Sequence, residues 1–241
     1  MSVSELLRAG RLADATAAQT AVVKAQPLDV DARYLLFALL GFAGEWERAG
    51  RQLDALAHQD AQLAAGARIY VNLLASEAQR RAALAGKAEP LTPPDAGPHV
   101  AERLAALAAL RAGDAAGAAR RLEAAVAQQP ELRGRCNGQP LAALRDLDDA
   151  LGSVLEVFAG GRYLWLPWEH VRRLEVAPPS HLLDLLWLPA QLEDVRGTAV
   201  AVHLPVLYAD SAAAADEAVK LGRLTEWLEA GEGILRGRGQ R

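Results

Sequence analysis

The chain has 241 residues, of which 51% are hydrophobic, with 26 basic and 30 acidic side chains and a formal net charge of −4. This length can bury a core in one large or two small domains, and the evenly mixed charges do not support binding to nucleic acid or to an anionic membrane surface. A single cysteine, Cys136, excludes an internal disulfide, and the first residues lack a secretory signal, so a cytoplasmic protein is expected.

Glycine, alanine and proline recur at fixed offsets in the first 130 residues. Gly10, Gly44 and Gly113 are each followed five residues later by alanine, and Pro27 and Pro130 lie seventeen residues after the first and third of them. The interval of 34 residues between Gly10 and Gly44 is the period of tetratricopeptide repeats. Glycine permits a sharp turn, alanine allows close helix crossing and proline ends a helix. Stacked helix pairs are therefore predicted, with a helical bundle of accidental spacing as the alternative.

The repeat expected near Ala78 lacks its glycine. A continuous helix is predicted over residues 63–85 instead, followed by a proline-rich loop over residues 89–98 that is expected to be exposed and mobile.

Stacked helix pairs present a concave face on which a partner can bind. In the repeat register, four first-helix side chains could line this face: Tyr34, Phe42, Arg103 and Arg111. A position in the core is the alternative for the two aromatic residues.

A turn-rich segment over residues 131–140 predicts a boundary between a repeat domain (1–135) and an α+β domain (136–241). The predicted fold is thus an α+β multidomain protein, with an N-terminal tetratricopeptide-like α-α superhelix followed by a small α+β domain with a short antiparallel sheet. In the second domain, periodicity first predicts a helix over 141–158, ended by Gly160 and Gly161, and then a strand over 162–166. A helical turn is predicted from Pro167. Two strands over 185–192 and 198–208, joined by a tight turn, and a helix over 213–227 are predicted to follow.

No enzymatic signature stands out in this sequence. The Gly-x-Ser-x-Gly turn of hydrolases is missing, Ser153 lies in a predicted helix, and Cys136 is interpreted as a buried, inert thiol. His170, His181 and His203 lack the spacing of a metal site. No catalytic residue, metal or cofactor is therefore predicted.

Carboxylates recur beside the aromatic motifs of the second half. Glu169, Asp184 and Asp210 are predicted to cap turns and to pair with Arg162 or Arg223, and not to act as an acid/base pair.

Four segments carry a resemblance to a known family: GRYLWLPWE (161–169), DLLWLPA (184–190), LPVLYADS (204–211) and LGRLTEW (221–227). Their order and spacing resemble the ImpE/SciE/TagJ family of bacterial type VI secretion accessory proteins. The resemblance implies a non-enzymatic cytoplasmic protein that binds the N-terminal helix of the small sheath subunit. It also implies an indirect link to the ClpV-type ATPase that disassembles the sheath.

Ten residues of these motifs are expected to be mainly structural: Trp165, Pro167, Trp168, Asp184, Trp187, Pro205, Tyr208, Ser211, Arg223 and Trp227. The tryptophans are predicted to form the core of the small domain, with an exposed peptide groove as the alternative. The alternative function is a C-terminal domain that binds a small ligand or acts as an enzyme, with the repeats as a docking arm.

Overall fold

Helices form the first half of the computed structural model, which describes residues 1–141 and 143–241. They are α1 (Val3–Arg8), α2 (Leu12–Ala25), α3 (Val30–Phe42), α4 (Trp46–Ala57), α5 (Ala61–Leu84), α6 (Pro98–Arg111) and α7 (Ala115–Gln128).

The three predicted glycine turns are confirmed. Gly10, Gly44 and Gly113 have φ values of 76°, 72° and 75°, in the left-handed region that favours glycine. After α3, for example, the N–H of Glu45 donates to the carbonyl of Leu40 at 2.8 Å, which closes a Schellman motif. The continuous helix predicted over residues 63–85 is also confirmed as α5.

The proline-rich segment after α5 is irregular, as predicted, but its backbone is attached to the neighbouring strand. The N–H of Leu91 donates to the carbonyl of Tyr163 at 3.2 Å, and the carbonyl of Leu91 accepts from the N–H of Trp165 at 2.8 Å. Asp95 forms a 2.7 Å ion pair with Arg196. The expectation of a mobile loop overlooked these long-range contacts, which the local composition does not encode.

The second half contains β1 (Arg135–Cys136), β2 (Gln139–Pro140), β3 (Val154–Ala159), β4 (Arg162–Pro167), β5 (Val171–Val176), β6 (Trp187–Asp194), β7 (Ala199–Pro205), α8 (Glu217–Lys220), β8 (Thr225–Glu229) and β9 (Leu235–Gly239). An antiparallel sheet of five strands has the order β4-β3-β7-β6-β5, and β8 pairs with β9. The predicted strands at β4, β6 and β7 and the α+β fold class are confirmed.

The helix predicted over residues 141–158 is wrong. Residues 143–153 form turns and irregular structure, residues 154–159 form β3, and Ala142 lies outside the described residues. Every residue from Val154 to Phe158 is buried, because both faces of this internal strand are covered. The run is apolar apart from Glu156, and such a short buried run does not distinguish a strand from a helix. Gly160 and Gly161 form the turn between β3 and β4 and do not end a helix.

The helix predicted over residues 213–227 is also wrong, apart from the single turn of α8. Gly222 ends this turn with a φ of 67°, and residues 225–229 form β8.

The helices and the large sheet share one hydrophobic core across residue 135. Phe37 and Phe42 of α3 belong to the same buried cluster as Trp165 and Trp187 of the sheet. A Cβ on Gly41 would lie 2.7 Å from Leu186, so α3 approaches the second half closely. The sequence-predicted boundary at residue 135 therefore does not separate two cores.

Candidate protein-binding site

A groove between α3, α5 and residues 181–183 has a volume of about 450 Å³. Its lining residues are Tyr34, Leu35, Ala38, Gly66, Tyr70, His181, Leu182 and Leu183. None of these described residues is Asp, Glu, Lys or Arg, so the groove offers apolar contact area with a few polar groups.

Two tyrosines form the aromatic part of the groove. The rings of Tyr34 and Tyr70 meet edge to face at 5.8 Å, and Phe37 packs against Tyr70 from the core at 5.5 Å. Burial raises the pKa of both tyrosine hydroxyls, so they remain protonated at neutral pH. A groove of this composition can accept the apolar face of a helix and provide hydrogen-bonding groups at its margin.

Of the four side chains predicted to line a concave face, Tyr34 lies in this groove. Phe42 is 1% exposed and Arg103 is 3% exposed, so both lie inside the protein. Arg111 is exposed, and its guanidinium donates to the carbonyls of Ala83 and Leu84 at the end of α5. The repeat register predicted which face of each first helix points inward, but it did not predict that the second half of the chain packs against part of that face.

A cluster that the sequence did not suggest joins α6 to the sheet. His99 lies 2.8 Å from the hydroxyl of Ser153 through Nδ1 and 2.6 Å from Glu169 through Nε2. Burial opposes ionisation of Glu169, but the hydrogen bond with His99 outweighs it and lowers the pKa of this carboxyl. His99 is fully buried and Ser153 is 1% exposed, and the hydroxyl accepts a further hydrogen bond from Arg103. The arrangement therefore fastens α6 to the sheet and does not present a nucleophile at the surface.

A buried ionic network links α5, the large sheet and the C-terminal residue. Arg80 donates to both carboxylate oxygens of Glu156, at 2.8 and 2.7 Å, and Arg241 donates to the same carboxylate at 2.9 Å. Tyr163 adds a bond of 2.6 Å to Glu156. Burial alone would raise the pKa of Glu156, but the two guanidinium groups outweigh it and lower the pKa to about 2.

Aromatic residues of the family motifs extend this network. The indole of Trp165 donates to the hydroxyl of Tyr163, and Tyr208 donates to Asp146, which also pairs with Arg241. These motif residues hold the sheet, the irregular segment before β3 and the end of the chain together.

The other motif residues lie mainly in packed positions. Pro167, Trp187, Pro205 and Ser211 are buried and Trp168 is half-buried. Trp227 is 39% exposed, so it does not belong to the core as predicted, although its ring packs edge-on against Tyr208 at 5.8 Å.

The predicted turn cap is present at Asp184, but the predicted pairing of the motif carboxylates with arginines needs correction. Asp184 caps a turn, accepting from the N–H groups of Ser180 and His181 at 2.7 and 3.0 Å. Glu169 pairs with His99, and Arg223 donates to the carbonyls of Leu7 and Arg8 at the end of α1, so the expected carboxylate–arginine pairs do not form.

Cys136 is exposed in the β1–β2 hairpin, contrary to the prediction of a buried thiol. Groups of three or more potential metal-ligating side chains do not occur among the described residues. No helix in the described part of the chain is long and apolar enough to cross a membrane.

Comparison with known proteins connects this architecture to type VI secretion. The fold resembles the crystal structure of protein VPA1032 from Vibrio parahaemolyticus, with a TM-score of 0.90, 24% identity, and coverage of 99% of this chain and 89% of that one. The model of the ImpE protein family matches residues 138–241. The type VI secretion system accessory component TagJ of Pseudomonas aeruginosa PAO1 is 40% identical over 231 residues, which span 96% of this chain and 82% of that protein. The chain therefore belongs to the ImpE/TagJ family of type VI secretion accessory components.

Proposed function

We propose that the protein is a non-enzymatic cytoplasmic adaptor that binds the N-terminal helix of the small sheath subunit of the type VI secretion system. The observation that carries this proposal is the uncharged groove between α3 and α5 in a chain 40% identical to a type VI accessory component. The sheath helix would place its apolar face against Leu35, Leu182 and Leu183, with polar groups near the tyrosine hydroxyls.

The geometry of the lining supports a helix as the occupant. Gly66 lies beside the Tyr34 hydroxyl and about one helical turn before Tyr70, and its missing side chain leaves room for a second helix to approach α5 closely. Ile69, one helical turn further along α5, is 46% exposed and extends the apolar surface.

The test is a binding titration with a labelled peptide corresponding to the first helix of the sheath subunit, followed by fluorescence anisotropy. Gly66→Arg fills the groove. Gly66 is exposed, is not in the left-handed region, and a Cβ there would lie 3.8 Å from the Tyr34 hydroxyl, so the variant is expected to fold. We expect it to weaken binding by at least about tenfold, because a charged side chain then occupies the apolar groove.

Ala75→Arg is the matched control, because Ala75 is also exposed on α5 but lies on the opposite side of the helix. It should bind like the parent protein. If Gly66→Arg binds the peptide as tightly as the parent protein does, the groove is not the binding site, although the adaptor role would still stand. A parent protein that does not bind the peptide would overturn the proposed partner.

A further inference from the structure

The groove between α3, α5 and residues 181–183 has an uncharged lining, but a carboxylate lies beside it. Asp184 directly follows Leu183 of the lining and accepts from the N–H groups of Ser180 and His181, at 2.7 and 3.0 Å. These bonds close the turn that forms one wall of the groove. The carboxylate is therefore held at the margin of the groove.

Asp184 is ionised at neutral pH. Burial opposes ionisation, but the hydrogen bonds from the backbone N–H groups of Ser180 and His181 outweigh it and lower the pKa of this carboxyl. Burial and the neighbouring Tyr34 raise the pKa of the Tyr70 hydroxyl, and the charge of Asp184 raises it further. The negative potential of the carboxylate thus extends to a lining residue of the groove.

The charge of Asp184 has no basic partner within the described part of the chain. No Lys or Arg there forms a salt bridge with it. Two histidines, His181 and His203, interact with its charge. Burial lowers the pKa of His203, so this ring is neutral at pH 7 and does not compensate the carboxylate.

A second carboxylate lies on the same face of α3. Asp31 is exposed and comes one helical turn before Leu35 of the groove. Arg33, in the same turn of α3, does not pair with it, because its guanidinium donates to the carbonyl of Pro27 and to the side chain of Gln52 at 2.8 and 3.1 Å. The groove is therefore uncharged inside and acidic at its margin.

We propose that the helix bound in this groove is basic, with a Lys or Arg beside its apolar face that pairs with Asp184, and with Asp31 as a second acidic contact. This inference rests on the proposed function, because it describes the occupant of the same groove. The alkyl part of the basic side chain would pack on the ring of Tyr70 while its charged end reaches the carboxylate. A helix with acidic residues at these positions would be repelled, which gives the groove its selectivity.

A charge scan of the ligand tests this inference. The labelled peptide of the first sheath-subunit helix is prepared with Lys, Gln or Glu at each polar position that flanks its apolar face, and fluorescence anisotropy measures each Kd. At one or more positions we expect Lys to bind most tightly and Glu most weakly. The two should differ by at least about threefold, because exposed ion pairs contribute modestly and like charges repel.

Asp184→Asn shows whether this carboxylate is the origin of the preference. Asparagine keeps an oxygen that can accept from the N–H groups of Ser180 and His181, so the turn should be retained, and thermal unfolding checks this. The preference for Lys over Glu should fall below about twofold in this variant. Asp114→Asn is the matched control, because Asp114 likewise accepts from a backbone N–H, that of Gly117 on α7, but lies outside the groove. It should keep the full preference.

Salt provides an independent measurement. Raising the NaCl concentration from about 50 to about 500 mM should weaken binding to the parent protein, and Asp31→Asn combined with Asp184→Asn should remove most of this dependence. If affinity does not depend on the charge of the peptide, or if the preference for Lys survives in Asp184→Asn, this inference is wrong and the adaptor role still stands. If the parent protein binds none of the peptides, the inference and the proposed partner are both overturned.

Discussion

Glu156 is the residue on which the buried ionic network depends, because its one carboxylate forms salt bridges with both Arg80 and Arg241. Glu156→Gln leaves two buried guanidinium groups without their main counter-charge, so we expect a loss of about 3–5 kcal/mol in the free energy of unfolding. Urea denaturation at pH 7 measures this change.

Glu77→Gln is the matched variant for Glu156→Gln. Glu77 is also buried and lies 3.7 Å from Arg80, but desolvation raises the pKa of its carboxyl. Since its surroundings disfavour the ionised form, the neutral amide should change the unfolding free energy by about 1 kcal/mol or less. Equal losses in the two variants would contradict the distinct roles assigned to these carboxylates.

The lowered pKa of Glu156 leads to a prediction of how the free energy of unfolding depends on pH. The pKa of Glu156 is about 2 in the folded protein against an ordinary value of 4.5, so its contribution is complete above pH 4.5 and is lost as the pH falls through about 2. A depression of this size corresponds to roughly 3 kcal/mol. Burial raises the pKa values of Glu77 and Asp148. These two groups therefore stabilise the folded protein more as the pH falls, because protonation relieves the cost of burying their charge.

Glu156→Gln isolates the contribution of Glu156 to acid unfolding. Unfolding free energies measured in urea at a series of pH values should fall less steeply below pH 4.5 in this variant than in the parent. Parallel pH profiles would show that other groups account for the acid dependence.

Individual roles were hardest to predict for residues whose partners are remote in sequence. Arg103 lies on a helix face that the repeat register exposes, but Ser153, fifty residues away, accepts its hydrogen bond. Tyr34 differs, because α3 and α5, the two helices that form the groove beside it, were both predicted from local sequence patterns. The sequence therefore located one side of the candidate groove, while residues 181–183 could be added only from the fold.

Helix turns are the elements that the sequence predicted best, and two of them allow a matched comparison. Gly44 and Gly113 have nearly the same left-handed φ, but a Cβ on Gly44 would lie 2.6 Å from the Cβ of Ala212, whereas nothing lies within 4 Å of one on Gly113. Gly113→Ala should lose about 1–2 kcal/mol of stability through backbone strain. Gly44→Ala should lose about 1–3 kcal/mol more, because the added methyl overpacks the contact with residues 211–213.

Thermal or urea unfolding of both glycine variants measures this difference. If Gly113→Ala were as unstable as Gly44→Ala, the close contact between the α3–α4 turn and the second half would be energetically unimportant. If neither variant lost stability, the left-handed backbone would not be required at these turns.

Elements of the second half were less predictable because the local pattern was ambiguous. The residues of β3, apolar apart from Glu156, fit a helix as well as a strand buried on both faces. The acidic residues before it resemble the polar face of a helix, but Asp148 holds Arg236 and the N–H of Gly237 in the β8–β9 hairpin. These bonds cross almost ninety residues of sequence and leave no local periodicity.

At the scale of the whole molecule, the helical half and the sheet half depend on each other for burial. Phe37 of α3 packs against Trp187 of β6 at 6.0 Å, and both rings lie in the same core cluster. The composition of the two halves differs, which suggested two domains, but composition does not report whether their apolar faces are packed together.

We therefore expect the full chain to unfold in a single cooperative transition. Far-ultraviolet circular dichroism reports mainly on the helices, whereas tryptophan fluorescence reports mainly on the second half, which holds four of the five tryptophans. The two signals should give the same urea midpoint. A fragment of residues 1–135 would expose Phe37 and Phe42 and should lack a cooperative transition. Separate midpoints in the full chain, together with cooperative unfolding of the fragment, would instead establish two independently stable domains.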